Sequence, residues 1–575
     1  MQYRIYGYEG VTVRLRATGV NVTYLDVSMT FAQKQAPRPV AIEWELPCVD
    51  LFFHLNTDSW SEPVNNLGSN WNFTTTYSRL CSGAPLHSIL GVNQKNQLTI
   101  ALLDATTPLN IKTGIVEETA SMLCRVEFFL YPTRPIKQYH TVIRIDRKRV
   151  PFYETFRAVD QWWQKNGLTC APVPDAAKMP LYSTWYSLHQ KYNTNQILEQ
   201  CRLAKEMGME TVIIDDGWQT EDTHRGYAYC GDWEPNPFKI PNMNYLVNQV
   251  HRLDMKLMLW YSVPVIGKYT KAYQEFQDCF LPCIDETEDW RVLDLRLPRV
   301  REHLLTLYET AMKTYQLDGL KLDFSDYFQF FNPAENTNLS TAESIETAIQ
   351  KLLRTAYRRL RKINPNVMLE FRQPCIGPEI RRYGNMLRAT CHGVDPLVNR
   401  CRTILLRLTS GSCAVHSDPI KWHPAESVES AARHLLNVLF SVPQISVLLD
   451  QLPEEHMKML QFYLSVWRKY REPLLEGTLV PCAPEANFTK ISAQKGLSLV
   501  TVLYEDKVAQ VPKACRTLAI INAKGDDEIL LDAPINETRW AIIYDCTGNI
   551  TEEHSLPLNG ISRLTVPVSG MVEII

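Results

Sequence analysis

Hydrophobic and polar positions alternate with a period of two through most of the first 150 residues, in VTVRLRA, NVTYLDVSMTF, PVAIEWEL, QLTIALLD, CRVEFFLY and YHTVIRID. Alternation sends successive side chains to opposite faces of a strand, so each run has one face to bury and one to leave in water. Turn residues separate the runs and helical spacing is nearly absent, which predicts an antiparallel β-sandwich over residues 1–150. FYETFRAVDQWWQKNG then has helical spacing and predicts a helical linker over 151–175.

From Met179 to Asp450 the pattern changes. Short apolar runs (LYSTW, TVIID, KLMLW, GLKLD, VMLEF, MLRAT, CAVHS and ISVLLD) alternate with long amphipathic stretches, one of whose stripes is Val300, Leu304, Leu307, Ala311 and Tyr315. Eight strands with intervening helices over roughly 270 residues predict a (β/α)₈ TIM barrel, placed at 176–472. A doubly wound sheet would want fewer strands and a glycine-rich phosphate loop, and neither GxGxxG nor GxxxxGK[ST] occurs. After the helix PEEHMKMLQFYLSVWRKYREPLL, the runs KISAQKG, LSLVTVLY, TLAIINA, EILLDA, RWAIIYD and SRLTVPVSGMVEII predict a C-terminal antiparallel β-sandwich over 473–575. The expected fold is multidomain α/β, a central barrel flanked by two β domains. A chain of 575 residues is too long for one core of ordinary size.

Composition adds exclusions. With 45% hydrophobic and 21% charged residues and a net charge of −3, there is no electrostatic case for nucleic acid or an anionic membrane as partner. No apolar stretch approaches the roughly 20 residues of a membrane helix, and MQYRIYGYEGVTVRLRAT lacks the apolar core of a signal peptide. The 15 cysteines, scattered from Cys48 to Cys546, suit buried free thiols in a reducing compartment, so a cytoplasmic location is expected. Cys279 and Cys283 are the closest pair, but no second pair or histidine pair completes a zinc pattern. No metal and no cofactor are expected; a homo-oligomer is left open.

In such a barrel the active site lies at the C-terminal ends of the strands. In chain order those ends carry Trp185, Asp215 and Asp216, Trp260, Lys321 and Asp323, Glu370 and Arg372, Asp395, then His416 and Asp418. A single aspartate after a strand more often caps the next helix. Lys321 and Asp323, on alternate positions of GLKLD, would alone be a salt bridge at a strand end. Carboxylates and cations converging with tryptophans suit a sugar, whose apolar face stacks on rings while its hydroxyls take charge-assisted hydrogen bonds.

IIDDGW (213–218), GDWEPNPFKIPN (231–242), KLMLW (256–260) and GLKLDF together resemble the melibiase-type α-galactosidases, glycoside hydrolase family thirty-six of clan D. The resemblance extends over the whole barrel, and the flanking β domains are similar to that family's architecture. DDGW, GDW and KxD in this order carry the signal; KxD alone also occurs in α-glucosidase families. The resemblance implies that Asp323 is the catalytic nucleophile, that Asp215 and Asp216 hold sugar hydroxyls, and that Lys321 holds a hydroxyl near the nucleophile while keeping it ionised. The family's acid/base aspartate follows the next-but-one strand, in an SDD sequence with an arginine soon after. Here LRATCHGVDPLVNR offers Asp395 followed by Arg400, without the SDD. The family's ESCSGGG-type segment is replaced by EFRQPCIGPEIRRYGNM (370–386), in which Cys375 and Arg382 stand for its sugar contacts. AVHSD (414–418) resembles GAHVS, with His416 structural. Trp185, Trp260 and Arg372 complete the expected substrate-binding set.

The implied activity is that of a retaining, exo-acting α-galactosidase that hydrolyses terminal α-galactosides, free or in oligosaccharides, by a two-aspartate double displacement. Asp323 attacks the anomeric carbon, and Asp395, its pKa raised by the nearby charge of Asp323, protonates the leaving oxygen. The alternatives are a raffinose-synthase-like α-galactosyl transferase, an α-N-acetylgalactosaminidase, and a non-catalytic carbohydrate-binding protein on a degenerate barrel. Retention of Asp323, Lys321 and the DDGW pair counts against the last, because binding needs no nucleophile.

Overall fold

The computed structural model describes residues 2–57, 63–131, 133–282, 287–330 and 344–575. Cys283, and with it the Cys279–Cys283 spacing noted above, lies outside these residues.

The alternating runs at the N-terminus build two antiparallel sheets, one of five strands and one of seven. Val22–Gln35 and Ile136–Asp146 pair in the larger sheet, and Val40–Pro47 pairs with Ser121–Phe128 in the smaller. Their inward positions meet in one core: Leu25, Val27, Met29 and Phe31 from one sheet, and Ile42, Trp44, Val126 and Phe128 from the other. The expected linker helix is Phe152–Lys165. It buries Phe152, Phe156, Val159 and Trp163, and Trp163 Nε1 donates to the Leu102 carbonyl across 2.8 Å.

The eight parallel strands of the barrel are β1 (Leu181–Ser183), β2 (Thr211–Ile214), β3 (Lys256–Ser262), β4 (Gly319–Asp323), β5 (Met368–Arg372), β6 (Met386–Arg388), β7 (Ala414–His416) and β8 (Gln444–Ile445). Each overlaps one of the apolar runs, β8 by Ile445 alone. β8 pairs with β1, and a bridge between His416 and Val442 ties β7 to the approach to β8, closing the barrel. β8 is shorter than ISVLLD suggests because side chains take over beyond Ile445. Ser446 Oγ donates to the Ser183 carbonyl at 2.6 Å, and Tyr182 Oη donates to the Val447 carbonyl at 3.0 Å. Leu181, Ile213, Met258, Met368, Met386 and Ala414 fill the lower interior. Gly319 stands in register between Met258 and Met368. A Cβ there would lie 2.2 Å from the Met368 carbonyl oxygen, so β4 can begin only with glycine.

The C-terminal strands form an eight-stranded, mostly antiparallel sheet. EILLDA and RWAIIYD, two separate runs in the sequence, are one strand, Glu528–Tyr544. A register shift between Pro534 and Glu537 absorbs the polar interruption, and the strand continues as a long hairpin with Ile550–Thr565. Phe488, Ile491, Val500, Val502 and Ile521 join the barrel's hydrophobic cluster, while Leu518, Ile520, Leu531, Ile543 and Val572 form a separate core. Among the described residues, no helix is long and apolar enough to cross a membrane.

Candidate active site

The lower layer of the barrel is apolar; the upper layers are charged. Trp260, Lys321 and Glu370 stand in one register across β3, β4 and β5, and Arg372, Arg388 and His416 in another across β5, β6 and β7. Period-two alternation selects these positions: in β4 it is Gly319, Lys321 and Asp323 that share a face.

Asp323 is the centre. Its side chain is almost fully buried, and Arg372 Nε and Lys321 Nζ reach it, the latter at 3.7 Å. Trp260 Nε1 donates to Oδ2 at 2.9 Å, and the Phe324 amide donates to Oδ1 at 2.8 Å. Burial alone would push this carboxyl up, but Arg372, Lys321, Arg388 and the indole donor outweigh it and hold it well below the usual carboxylate range. These contacts favour the ionised form of Asp323 at neutral pH.

Lys321 bridges to the second acidic element. Its Nζ lies 2.5 Å from Asp215 Oδ2. Asp215 is fixed through its backbone, its amide donating to Thr184 Oγ1 at 2.9 Å and its carbonyl accepting from Tyr192 Oη at 3.1 Å. Asp216 is held by amide side chains, Gln190 to Oδ2 at 2.6 Å and Gln219 to Oδ1 at 2.7 Å. Burial pushes its pKa up to about 6, against the lowering effect of those two donors.

A second ionic group flanks the first. Arg388, at the end of β6, pairs with Asp418 through Nη1, and its Nε lies 3.6 Å from Glu370 Oε1. Glu370 is fully buried, accepts from Gln444 Nε2 at 2.6 Å, and is pushed up to about 7 by burial in spite of Lys321 and Arg388. Asp418 also accepts from Tyr186 Oη at 2.8 Å, and burial raises its pKa. Asp326, one turn beyond β4, faces Arg372 Nη2 at 3.4 Å and is pushed up to about 6, chiefly by burial. His416 Nε2 donates to the Ala177 carbonyl, 2.8 Å away, and burial keeps the ring neutral with a pKa of about 4.

Of the residues expected from the sequence, Asp215, Asp216, Trp260, Lys321, Asp323 and Arg372 are linked through these contacts. Trp185 follows β1 and stands edge-on to His189, with centroids 4.8 Å apart. Asp395 is the N-cap of the helix Pro396–Thr409, its carboxylate accepting from the Val398 amide at 3.0 Å. Three residues are engaged elsewhere. Arg382 pairs with Glu379 at 2.9 Å, with its side chain 42% exposed. Arg400 lies over the Tyr504 ring at 3.8 Å and donates to Asn437 and to the Asn487 carbonyl, at the C-terminal sheet. Cys375 is buried in the hydrophobic cluster that also holds Cys81 of the N-terminal sandwich. Sequence reasoning missed Arg388, Asp326, Tyr186, Gln190 and Gln219. Arg388 alone had a signal, a cation inside the apolar run MLRAT; Tyr186 lies in the short helix Thr184–Ser187 and the others on turns, and their return to the mouth is a tertiary fact.

Residues 172–378 match the melibiase family. Among curated proteins, α-galactosidase 2 of Pediococcus pentosaceus is 28% identical over 206 residues, which cover 34% of this chain and 28% of that protein. α-Galactosidase AgaA of Geobacillus stearothermophilus is 25% identical over 158 residues, 26% of this chain and 21% of that protein. The matched stretches thus span between a fifth and a third of these relatives' lengths. In fold, the chain is similar to AgaA solved with stachyose, with a TM-score of 0.67 at 14% identity, covering 100% of this chain and 87% of that one. The α-galactosidase of Thermus thermophilus, solved with p-nitrophenyl α-D-galactopyranoside, gives a TM-score of 0.54 at 17% identity, covering 84% and 98%. Residues 172–378 of this chain thus match the melibiase family, and the chain as a whole has the fold of solved family thirty-six α-galactosidases.

Proposed function

We propose that this protein is a retaining, exo-acting α-galactosidase in which Asp323 is the nucleophile and Asp395 the acid/base. The observation that carries the reading is the state of Asp323: a buried carboxylate held as an anion at a strand end, among groups able to bind sugar hydroxyls. A carboxylate oxygen has about two lone-pair directions. Oδ1 accepts from both Arg372 and Phe324, whereas Oδ2 has one close donor, Trp260. Oδ2 thus keeps a lone pair and is the attacking atom. Attack on the anomeric carbon breaks the glycosidic bond as Asp395 protonates the leaving oxygen, giving a covalent glycosyl-enzyme; water, deprotonated by the now ionised Asp395, then releases the sugar with its configuration retained. Asp215, ion-paired to Lys321, and Asp216, oriented by the Gln190 and Gln219 amides, fit the role of hydroxyl acceptors. The names of the relatives supply the sugar: they are α-galactosidases, and solved relatives carry stachyose or an aryl α-galactoside.

Purified protein should release galactose from p-nitrophenyl α-galactoside, with the α-anomer appearing first by NMR. Asp323→Ala should fold normally, since one polar side chain at the barrel mouth is lost, and its hydrolysis should fall to background. Cleavage of other aryl α-glycosides in preference to the galactoside, or first release of the β-anomer, would overturn the assignment.

A further inference from the structure

Between β6 and Asp395 the chain makes a turn that is held from its inner side. His392 and Val394 face solvent, while Cys391 and Gly393 are buried. The root of the turn is tied to the end of β5: the Thr390 amide donates to Gln373 Oε1 at 3.0 Å, and the Thr390 hydroxyl to the Gln373 carbonyl at 3.2 Å. Beyond Thr390 the inward contacts converge on Tyr186, which follows β1. The Tyr186 hydroxyl lies 3.2 Å from the Cys391 carbonyl and 2.8 Å from Asp418 Oδ2, so its one proton faces both acceptors. Cys391 Sγ reaches the same Asp418 oxygen at 3.4 Å. A Cβ built on Gly393 would lie 2.5 Å from Tyr186 Cδ2 and 2.7 Å from Cε2, so the ring packs directly on bare backbone. Lys421 ties the two segments together. Its Nζ donates to the Tyr186 carbonyl at 2.5 Å, and its amide to the Gly393 carbonyl at 2.9 Å.

Tyr186 and Asp418 are themselves fixed to the barrel. The Tyr186 and Ser187 amides donate to Ser446 Oγ at 2.9 and 3.0 Å, and that hydroxyl donates on to the Ser183 carbonyl. Asp418 is fully buried and paired with Arg388 of β6. Its backbone is clasped by Asn399, in the helix that Asp395 caps: Asn399 Nδ2 donates to the Asp418 carbonyl at 3.0 Å, and the Asp418 amide to Asn399 Oδ1 at 3.1 Å. The turn before Asp395 and the helix after it thus refer to one carboxylate residue. We propose that Tyr186 is a positioning residue for Asp395, seating the Cys391–Gly393 turn on Asp418 so that the Asp395 carboxyl is held where it can protonate the leaving oxygen. This rests on the assignment of Asp395 as acid/base. Proton transfer needs the acid within about 2.6–3.2 Å of the atom it protonates, and a misplacement of about 1 Å can cost about 10²-fold. The N-cap bond from the Val398 amide orients the Asp395 carboxylate relative to its own helix. Tyr186, with Lys421, links the turn to the ends of β1 and β8.

The test compares two substrates in the full-length protein. Tyr186→Phe keeps the ring on Gly393 and deletes only the hydroxyl. On raffinose, whose leaving group needs a proton, kcat should fall roughly 10–10²-fold with KM little changed. On p-nitrophenyl α-galactoside, whose leaving group needs none, kcat should stay close to that of the wild type. Coupling is the sharper reading. Because Tyr186 acts through Asp395, Tyr186→Phe combined with Asp395→Asn should be no slower on raffinose than Asp395→Asn alone. Gly393→Ala pushes the turn off the same ring from the other side and should give the same substrate-dependent loss, which decides the matter where Tyr186→Phe folds poorly. An equal loss on both substrates, a raised KM with kcat unchanged, or losses that add in the double variant would overturn the proposal. Asp395→Asn alone reports on the assignment beneath it. If that variant hydrolyses raffinose at the wild-type rate, the acid/base assignment fails and the positioning role with it. If it shows the leaving-group-dependent loss and Tyr186→Phe does not, the positioning role alone fails.

Discussion

Beyond Lys321 in its own strand, Asp323 owes its charge to residues far from it in sequence, and Arg372 is the first of them by proximity. Arg372 also faces Asp326 and lies over the Phe324 ring at 5.3 Å, so its guanidinium is fixed in place rather than mobile. Burial favours the neutral acid, and among the groups that oppose it the Arg372 cation acts most strongly. Removing that cation must raise the Asp323 pKa from its depressed position. The sign for activity follows from the proposed mechanism: if Asp323 is the nucleophile it acts only when ionised, so the acid limb of kcat/KM should move to higher pH in Arg372→Met, with Arg372→Lys between it and the wild type. Measured pH–rate profiles check this; an acid limb unmoved in Arg372→Met would separate Arg372 from the ionisation of Asp323. The pairing of Lys321 with Asp323 was legible in GLKLD because both belong to one strand and alternation fixes their faces. Arg388 with Asp418, and Asp326 with Arg372, were not, because local pattern says which face a residue takes and not which distant segment meets it.

The same limit shapes the elements. The barrel strands were readable as short apolar runs between amphipathic helices, and their order along the chain is their order around the barrel. Lengths were less readable: β8 ends early because Ser446 and Tyr182 satisfy the neighbouring carbonyls, and the Glu528–Tyr544 strand runs on through a shift that looks like a loop in sequence. Asp395 is where element and chemistry compete. It caps Pro396–Thr409, a role worth about 1 kcal/mol when the side chain is truncated, and in the proposed mechanism it is also the proton donor. Asparagine can cap but cannot donate an acid proton, so Asp395→Asn separates the roles. If Asp395 is the acid/base, Asp395→Asn should keep the melting temperature of the wild type and lose about 10²–10⁴-fold on substrates with poor leaving groups. It should also act comparatively well on activated aryl galactosides. Asp395→Ala should show the same kinetic loss with reduced stability. Asp395→Asn with wild-type rates on raffinose-like substrates would leave the aspartate as a cap and make Asp418 the next acid to test.

At the scale of the molecule, the β layers are not appended to the barrel but share its core. Phe53, Leu55, Leu80, Leu86, Leu90 and Ala101 of the N-terminal sandwich belong to the same hydrophobic cluster as Phe156, Trp163, Tyr182 and Trp260. The contact reaches the site itself: the Gly83 amide donates to the Pro374 carbonyl at 2.9 Å, holding a sandwich loop against the segment that follows Arg372. On the far side, Tyr463 of the helix Glu454–Lys469 reaches the C-terminal domain, its Oη donating to the Ser569 carbonyl, while Trp467 Nε1 on the same helix donates to the Leu439 and Ser441 carbonyls of the barrel. Leaving an apolar side chain exposed that was fully buried costs roughly 1.5–3 kcal/mol, and the net stability of a domain is only about 5–15 kcal/mol. Loss of the six sandwich side chains that join the barrel cluster is therefore enough to consume most of it. A fragment of residues 151–575 should accumulate as aggregate or unfold broadly and at a lower temperature. The intact chain should give one cooperative transition linking the barrel and sandwich signals. Calorimetry and near-ultraviolet circular dichroism on both proteins measure this. A soluble 151–575 fragment with the sharp transition and melting temperature of the full chain would mean that the shared cluster adds contact without adding stability.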